Sequence, residues 1–254
     1  METTYIEIDS PDKHLSDVLE EIPSNVILYK TLTGIGATYS EIKAQRHSII
    51  IEPNVPVIIG KCNSAKHKND NLLGVYEGVT TDRIIKYLGA SRGKYYKILT
   101  TPESFTKVKD AFLIFNGKIY NTCFLLIDEA HKTIKDVDYR SDIVLPMNDF
   151  FKFKGKALVS ATPLKFSDPR FEENGFSIIK IEPTYDYAKE IDIKPSTNIL
   201  REVWEEFGWM PFITGQDKDR PFFIFINSVD IIYSIISQLK LFDKSSVFCA
   251  PKSI

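Results

Sequence analysis

Short apolar runs alternate with segments of helical periodicity along most of this chain. An apolar run bounded by polar or turn-forming residues is typical of a strand that is buried on both faces. Apolar residues spaced three or four positions apart predict amphipathic crossover helices. The pattern predicts strands at 25–30, 47–52, 95–100, 125–127, 157–159, 176–181, 221–228 and 247–249, and helices at 15–22, 37–45, 82–88, 105–115, 198–207 and 229–241. This alternation predicts an α/β fold whose sheet is mostly parallel and carries helices on both faces.

The chain length of 254 residues is sufficient for one complete domain and a substantial part of another. Turn-forming residues become frequent after the strand at 157–159, and a proline follows the strand at 176–181. We therefore predict a first domain over 1–190, followed by a linker and the start of a second domain over 191–254. A lysine-rich stretch at 61–71 has no periodicity and predicts a solvated loop, with contact to phosphate as the alternative.

The composition narrows the class of protein. Hydrophobic residues make up 43% and charged residues 26% of the chain, as in ordinary globular proteins. The net charge of −2 gives no overall basic field, so a nucleic-acid contact would need a local basic surface. No apolar run reaches membrane-spanning length, and we expect no membrane partner. The three cysteines are far apart and lack metal-ligand spacing, which favours a reducing cytoplasm.

Two of the predicted strands end in polar residues of complementary chemistry. The strand at 125–127 leads into Asp128, Glu129 and His131, and a later strand ends in Ser160 and Thr162. Carboxylates at the carboxyl end of a parallel strand suit a magnesium nucleotide, because ligands bind at that edge of an open α/β sheet. Asp128 would hold the ion and Glu129 would polarise the attacking water. The structural alternative is an acidic turn at a strand end.

These two clusters resemble motifs II and III of superfamily 2 helicases and translocases, in the group with an Asp-Glu-Ala-His sequence. The resemblance implies a RecA-like P-loop NTPase fold, with the start of a second RecA-like domain after the first. It also implies ATP and Mg2+ as cofactors and DNA or RNA as the partner. His131, Ser160 and Thr162 would then couple the nucleotide to the nucleic-acid side of the sheet.

The family's phosphate loop is present here in a divergent form. The resemblance assigns nucleotide binding to the residues after the strand at 25–30, namely Thr33, Gly34, Ile35, Gly36, Ala37 and Thr38. The glycines let backbone N–H groups turn towards phosphate oxygens, and Thr38 would bind magnesium. Ala37 stands where the family has a lysine, so the ammonium group for the β- and γ-phosphates is missing. By analogy with deleted oxyanion donors, such a loss costs ~3–4 kcal/mol of transition-state stabilisation.

Three interpretations of Ala37 remain open at the level of the sequence. A lysine from elsewhere, such as Lys30, Lys43 or Lys61, would supply the charge. Alternatively, the chain binds nucleotide and hydrolyses it slowly. In the third interpretation, it keeps the fold only to bind nucleic acid or to assemble with other proteins.

Weaker matches follow in the family's order. Asn54 lies at the position of motif Ia, where it would touch a nucleic-acid backbone or simply form a turn. Thr101 and Ser104 lie at motif Ib, where hydroxyl groups are suitable donors to phosphate and also cap the start of a helix. The strand at 221–228 resembles motif IV.

These matches predict an ATP-dependent helicase or translocase, of phage or mobile-element origin and located in the cytoplasm, which is the host cytoplasm if the source is viral. The alternative is a catalytically weak or inactive nucleic-acid-binding or assembly module that keeps the helicase fold. The family's arginine finger belongs to motifs that follow motif IV. We expect the remaining helicase domain or a protein partner to supply it.

Overall fold

The computed structural model describes residues 1–132, 145–162, 168–187 and 228–238, together with isolated positions between 195 and 247. The chain divides into two compact units, Met1–Ala188 and Lys189–Ile254. In the second unit, the helix Val229–Gln238 is described. The predicted elements at 198–207, 221–228 and 247–249 lie largely outside the described residues, so the start of a second RecA-like domain stays a prediction.

The first unit is built on an eight-stranded sheet in which every pairing is parallel. The spatial order of the strands is β1-β8-β2-β7-β6-β3-β5-β4. The strands are β1 (Thr3–Ile8), β2 (Val26–Tyr29), β3 (His47–Ile51), β4 (Leu72–Val75), β5 (Lys97–Thr100), β6 (Cys123–Ile127), β7 (Gly155–Ser160) and β8 (Ser177–Pro183). Most of these strands are short and almost wholly buried, as expected for a sheet that is covered on both faces.

The helices among the described residues include the crossovers between the strands of the first unit. They are α1 (Leu15–Val18), α2 (Ala37–Lys43), α3 (Val55–Asn63), α4 (Thr81–Ala90), α5 (Phe105–Phe115), α6 (Ile119–Thr122), α7 (Leu145–Phe150), α8 (Arg170–Glu173) and, in the second unit, α9 (Val229–Gln238), with a 3-10 turn at Ala65–His67. Within the described ranges, Cys62 and Cys123 are free, and no helix is both long and apolar enough to cross a membrane.

Two hydrophobic cores lie on opposite faces of the sheet. Leu125 and Ile127 of β6 belong to one core, together with apolar residues of α4, α5, α6, α7 and α8. Phe124 and Leu126 of the same strand belong to the other core, which contains residues of α1, α2 and α3. Since alternate residues of a strand point to opposite faces, this division follows directly from the apolar run. The predicted α/β fold, with a mostly parallel sheet and helices on both faces, is confirmed.

Local predictions differ from the structure where tertiary contacts decide. The helix predicted at 15–22 ends at Val18, and β1, β4 and α3 were not predicted from the pattern. The prediction of a solvated loop at 61–71 was wrong in part, because α3 continues to Asn63 and His67 is buried. The His67 ring packs beside Tyr39, and its Nδ1 lies 2.7 Å from Asp70 Oδ2.

A buried polar network fixes the carboxyl end of α2. The ammonium group of Lys97, on β5, donates to the carbonyl oxygens of Glu41 and Ala44, both at 2.8 Å, and to Ser48 Oγ at 3.1 Å. The Glu41 carboxylate is fully buried and accepts from Arg46 Nη2 at 2.5 Å and from Ser48 Oγ at 2.5 Å. Because all of these groups are paired, the network holds α2 firmly against the sheet.

Replacing the central cation of this network should destabilise the domain. Lys97→Met leaves two helix carbonyls without their donor, and we expect the free energy of unfolding to fall by ~3 kcal/mol. Urea unfolding of the variant and the wild type measures the change. Lys86→Met, at an exposed position on α4, is the matched control and should change stability by less than ~0.5 kcal/mol. Equal effects of the two variants would contradict the role given to Lys97.

Candidate nucleotide-binding site

Four neighbouring strands deliver polar residues to one edge of the sheet. In spatial order, β2 leads into Lys30, β7 ends in Ser160, β6 leads into Asp128 and β3 leads into Glu52. Backbone hydrogen bonds extend the pairing into these residues, from Lys30 N to the Ser160 carbonyl at 2.9 Å and from Asp128 N to the Ile51 carbonyl at 3.0 Å. The positions of these residues are therefore set by the rigid sheet.

Asp128 is the centre of this edge. Its side chain is 5% exposed, and Oδ1 accepts from Lys30 Nζ at 3.0 Å and from the Glu129 amide at 2.8 Å. Oδ2 accepts from Thr38 Oγ1 at 2.5 Å. Burial alone would raise the pKa of Asp128, but the Lys30 charge and the Thr38 hydrogen bond outweigh it and hold the pKa below its ordinary value. Asp128 is therefore a buried carboxylate that stays ionised.

The predicted phosphate loop leads from β2 into α2. Gly34 and Gly36 have φ angles of 81° and 89°, which lie in the left-handed region that favours glycine. Thr33 and Gly34 are exposed, whereas Ile35 and Ala37 are buried. The Ile35 carbonyl accepts from the Leu15 amide at 2.8 Å, so α1 fixes the loop from the outside.

Lys30 is the lysine that the structure brings to the two candidate catalytic carboxylates. Its Nζ lies 3.0 Å from Asp128 Oδ1 and 2.7 Å from Glu129 Oε1, and the side chain is almost fully buried. Burial lowers the pKa of Lys30, but the charge of Asp128 and the hydrogen bond to Glu129 outweigh it and raise the pKa above the ordinary value. Lys43 instead pairs with Asp70 at 2.7 Å, on another part of the surface.

The residues predicted to couple the site to nucleic acid form a continuous chain. His131 Nδ1 lies 3.3 Å from Glu129 Oε2 and 3.2 Å from Ser160 Oγ. Ser160 Oγ donates to the Thr162 carbonyl at 2.7 Å and accepts from the Thr162 amide at 3.1 Å. Glu129 is therefore connected to the end of β7 through the His131 ring.

Two non-glycine residues beside the acidic pair have left-handed backbone conformations. Thr31 has a φ angle of 42° and Glu129 a φ angle of 51°. Such a conformation costs about 1–2 kcal/mol for an ordinary residue and is concentrated at functional sites. It turns the chain sharply directly after Lys30 and directly after Asp128.

The residues predicted to contact nucleic acid lie at the same edge of the sheet but outside the acidic cluster. Asn54 precedes α3, and its Oδ1 accepts from Lys132 Nζ at 3.5 Å. Thr101 and Ser104 follow β5 and are both buried, and Thr101 Oγ1 accepts from the Ser104 amide at 3.3 Å. In this geometry, the two hydroxyl residues form the turn that precedes α5. Their contact with nucleic acid stays a prediction.

Glu52 is a site residue that the sequence reasoning did not identify. It is 3% exposed, its amide donates to the Thr100 carbonyl at 2.9 Å, and its Oε2 lies 3.7 Å from Lys61 Nζ. Burial, followed by the negative charge of Asp128, raises the pKa of Glu52 to about 7. The available signal was its position: an acidic residue directly after an apolar strand that neighbours the Asp128 strand.

The oxygen donors at this edge suit a magnesium ion. Thr38 Oγ1 and Asp128 Oδ2 already lie 2.5 Å apart, and both are hard oxygen ligands. In the part of the chain that the structure describes, no group of three or more His, Cys, Asp or Glu side chains could hold a metal ion. Magnesium commonly uses only one or two protein ligands and takes the others from phosphates and water.

The chain is similar to several solved structures, although no family model and no curated protein matches its sequence. A hypothetical ATP-dependent RNA helicase from Sulfolobus tokodaii is 17% identical over 62% of this chain and 48% of that one, with a TM-score of 0.42. The Hef helicase domain of Pyrococcus furiosus is 14% identical over 72% and 42%, with a TM-score of 0.41. A DEAD box protein from Methanococcus jannaschii is 19% identical over 85% and 59%, with a TM-score of 0.41. This chain thus spans about half the length of those structures.

The buried carboxyl group of Glu52 should make stability depend on pH. Its pKa is raised from 4.5 to about 7, so the folded state binds a proton that the unfolded state releases between these values. Stability from this group is present below pH 4.5 and is lost as the pH rises through about 7. Relative to Glu52→Gln, the wild type should therefore lose up to about 3 kcal/mol across this window.

Urea unfolding of the two proteins at several pH values across the window measures this difference. Glu77→Gln, at an exposed position, is the control and should follow the wild-type curve at every pH. A constant difference between the wild type and Glu52→Gln would show that Glu52 does not titrate in this range.

Proposed function

We propose that this chain binds Mg-ATP at the edge formed by β2, β7, β6 and β3, and hydrolyses it as the first motor domain of a superfamily 2 helicase or translocase. One observation carries the proposal. Thr38, at the start of α2, donates to the buried carboxylate of Asp128 at 2.5 Å, although the two residues are 90 positions apart in the chain. A phosphate loop and an acidic strand end need this contact to share one magnesium ion.

In this proposal, each residue has a distinct task. Thr38 and Asp128 would hold the ion, which when bound supplies positive charge to the phosphate oxygens. Glu129 takes a proton from water as the water oxygen bonds to the γ-phosphorus. The bond from that phosphorus to the bridging oxygen breaks, and ADP leaves with the electron pair. The products are ADP and inorganic phosphate, with one proton released.

DNA or RNA is the proposed partner, and the coupling route is the chain of contacts from Glu129 through His131 to Ser160. The 3.3 Å and 3.2 Å separations along that chain support the route, because loss of a phosphate near Glu129 changes the charge that His131 faces. We further propose a cytoplasmic phage or mobile-element protein whose arginine finger comes from the remaining helicase domain or from a protein partner.

A second function is favoured by one specific observation, the alanine at position 37. A methyl group there contributes no charge to a developing phosphoryl transition state. The alternative is accordingly a nucleic-acid-binding or assembly module that keeps the fold without turnover. Nucleic-acid-stimulated ATP turnover separates the two proposals.

Nucleotide binding should be visible as thermal stabilisation. A ligand that binds only the folded state at about tenfold above its Kd adds about 1.4 kcal/mol, or roughly 3–6 °C for a domain of this size. Melting curves with millimolar Mg-ATP or Mg-ADP measure the shift. It should shrink when magnesium is chelated, because Thr38 and Asp128 then lose the ion they share with the nucleotide. An unchanged melting temperature with both nucleotides would count against the site.

Substitutions of the two carboxylates should have different effects on turnover and on nucleotide affinity. Glu129→Gln keeps side-chain size but removes the base, so turnover should fall about 100-fold or more at nearly constant nucleotide affinity. Asp128→Asn should instead weaken magnesium-dependent binding. Asp149→Asn is the matched control for Asp128, since Asp149 is also buried and is paired with Lys109 and Lys152 away from the loop.

Turnover and nucleotide affinity of the three variants, with and without nucleic acid, test these roles. Asp149→Asn should lower stability while leaving the dependence of nucleotide binding on magnesium unchanged. Full turnover in Glu129→Gln, or equal loss of magnesium dependence in both Asp→Asn variants, would overturn the assignment.

A further inference from the structure

The geometry points to Lys30 as the residue that supplies the phosphate-facing cation that Ala37 lacks. This inference deepens the proposed function and rests on it, because it assigns a charge to the same nucleotide site. Lys30 directly follows β2 and precedes the predicted phosphate loop, whereas Ala37 lies near the end of that loop and is the first residue of α2. The cation would thus enter the site from the strand end, opposite the end of the loop that usually carries it.

Position distinguishes Lys30 from the other two lysines considered. Lys43 Nζ contacts both oxygens of Asp70, at 2.8 and 2.7 Å, and Lys61 Nζ lies 3.7 Å from Glu52. Lys30 Nζ lies between Asp128 and Glu129, at 3.0 and 2.7 Å. Only Lys30, among these three, contacts the carboxylates that the proposed reaction uses.

The contacts of Lys30 also connect it to the magnesium-ligand pair. Asp128 accepts a hydrogen bond from Lys30 through Oδ1 and one from Thr38 through Oδ2. A single carboxylate therefore separates the ammonium group from the loop hydroxyl. The backbone at Lys30 is held on both sides, because its amide donates to the Ser160 carbonyl and its own carbonyl accepts from the Leu32 amide. The base of the side chain is therefore fixed, while its four-carbon stem can redirect the charge.

Charge balance explains why this ammonium can serve a nucleotide. Asp128 and Glu129 carry two negative charges, and Lys30 neutralises one of them in a buried setting. When a magnesium nucleotide binds, Lys30 exchanges carboxylate oxygens for phosphate oxygens, since the ion then compensates Asp128.

Moving the cation from position 30 to position 37 should have non-additive effects on nucleotide affinity. In the Glu129→Gln background, where binding is measured without turnover, Lys30→Met should weaken a non-hydrolysable ATP analogue about 10- to 100-fold. Its effect on ADP should be less than about threefold, since ADP has no γ-phosphate. Adding Ala37→Lys to the Lys30→Met protein should restore most of the lost affinity. Ala37→Lys alone should gain little, because the place is already filled.

Titration calorimetry with Mg2+ and each nucleotide measures these affinities, and circular dichroism checks folding. The Glu129→Gln background removes one of the two acids, so Lys30→Met leaves less uncompensated charge than it would in the wild type. Lys43→Met, made in the same background, loses a salt bridge of the same type on α2 and should leave both affinities unchanged.

The outcomes distinguish failure of the proposed function from failure of the role given to Lys30. If the Glu129→Gln parent and the wild type bind no nucleotide, the proposed function fails and the role of Lys30 fails with it. If the parent binds but Lys30→Met changes neither nucleotide, or weakens both equally, only the role of Lys30 is overturned. An equal gain in affinity from Ala37→Lys with Lys30 present and with Lys30→Met would also overturn it. Tighter binding by Lys30→Met would do the same.

Discussion

The buried ion-pair cluster of Lys30 with Asp128 and Glu129 is the constraint around which the first unit is arranged. A buried carboxylate is tolerated only when charges and hydrogen bonds compensate its loss of water, and Asp128 has three such partners. Those partners come from β2, from α2 and from its own turn. Because β7 alone separates β2 from β6, the order of the strands brings Lys30 within reach of Asp128.

Backbone strain lies next to this cluster, and a second polar network holds the far end of α2. The left-handed turns at Thr31 and Glu129 follow the two residues of the central ion pair, so each strand ends abruptly where its charge is needed. On the other side of α2, the Lys97 network holds the helix through Glu41 and Ala44. Helix α2 is therefore fixed by one polar cluster at each end.

The acidic edge contains a third carboxyl group besides those of Asp128 and Glu129. Glu52 adds a third carboxyl group beside Asp128, and its raised pKa keeps it largely protonated below about pH 7. The carboxyl groups of Asp128 and Glu129 already outnumber the single Lys30 ammonium group that lies between them. A third ionised acid would add repulsion that Lys61, at 3.7 Å from Glu52, only partly offsets.

The sequence by itself determined the parallel α/β architecture, because apolar runs and helical spacing are local patterns. It also determined that Asp128, Glu129 and Ser160 lie at strand ends and that the glycines of the loop lie just before a helix. Only the tertiary structure decided which lysine faces the acids, since Lys30 and Asp128 are 98 positions apart and no local pattern records their contact. The tertiary structure also decided which acids are buried. The ionisation of an acid at a strand end depends on the strands packed beside it, and the order of the whole sheet sets those neighbours.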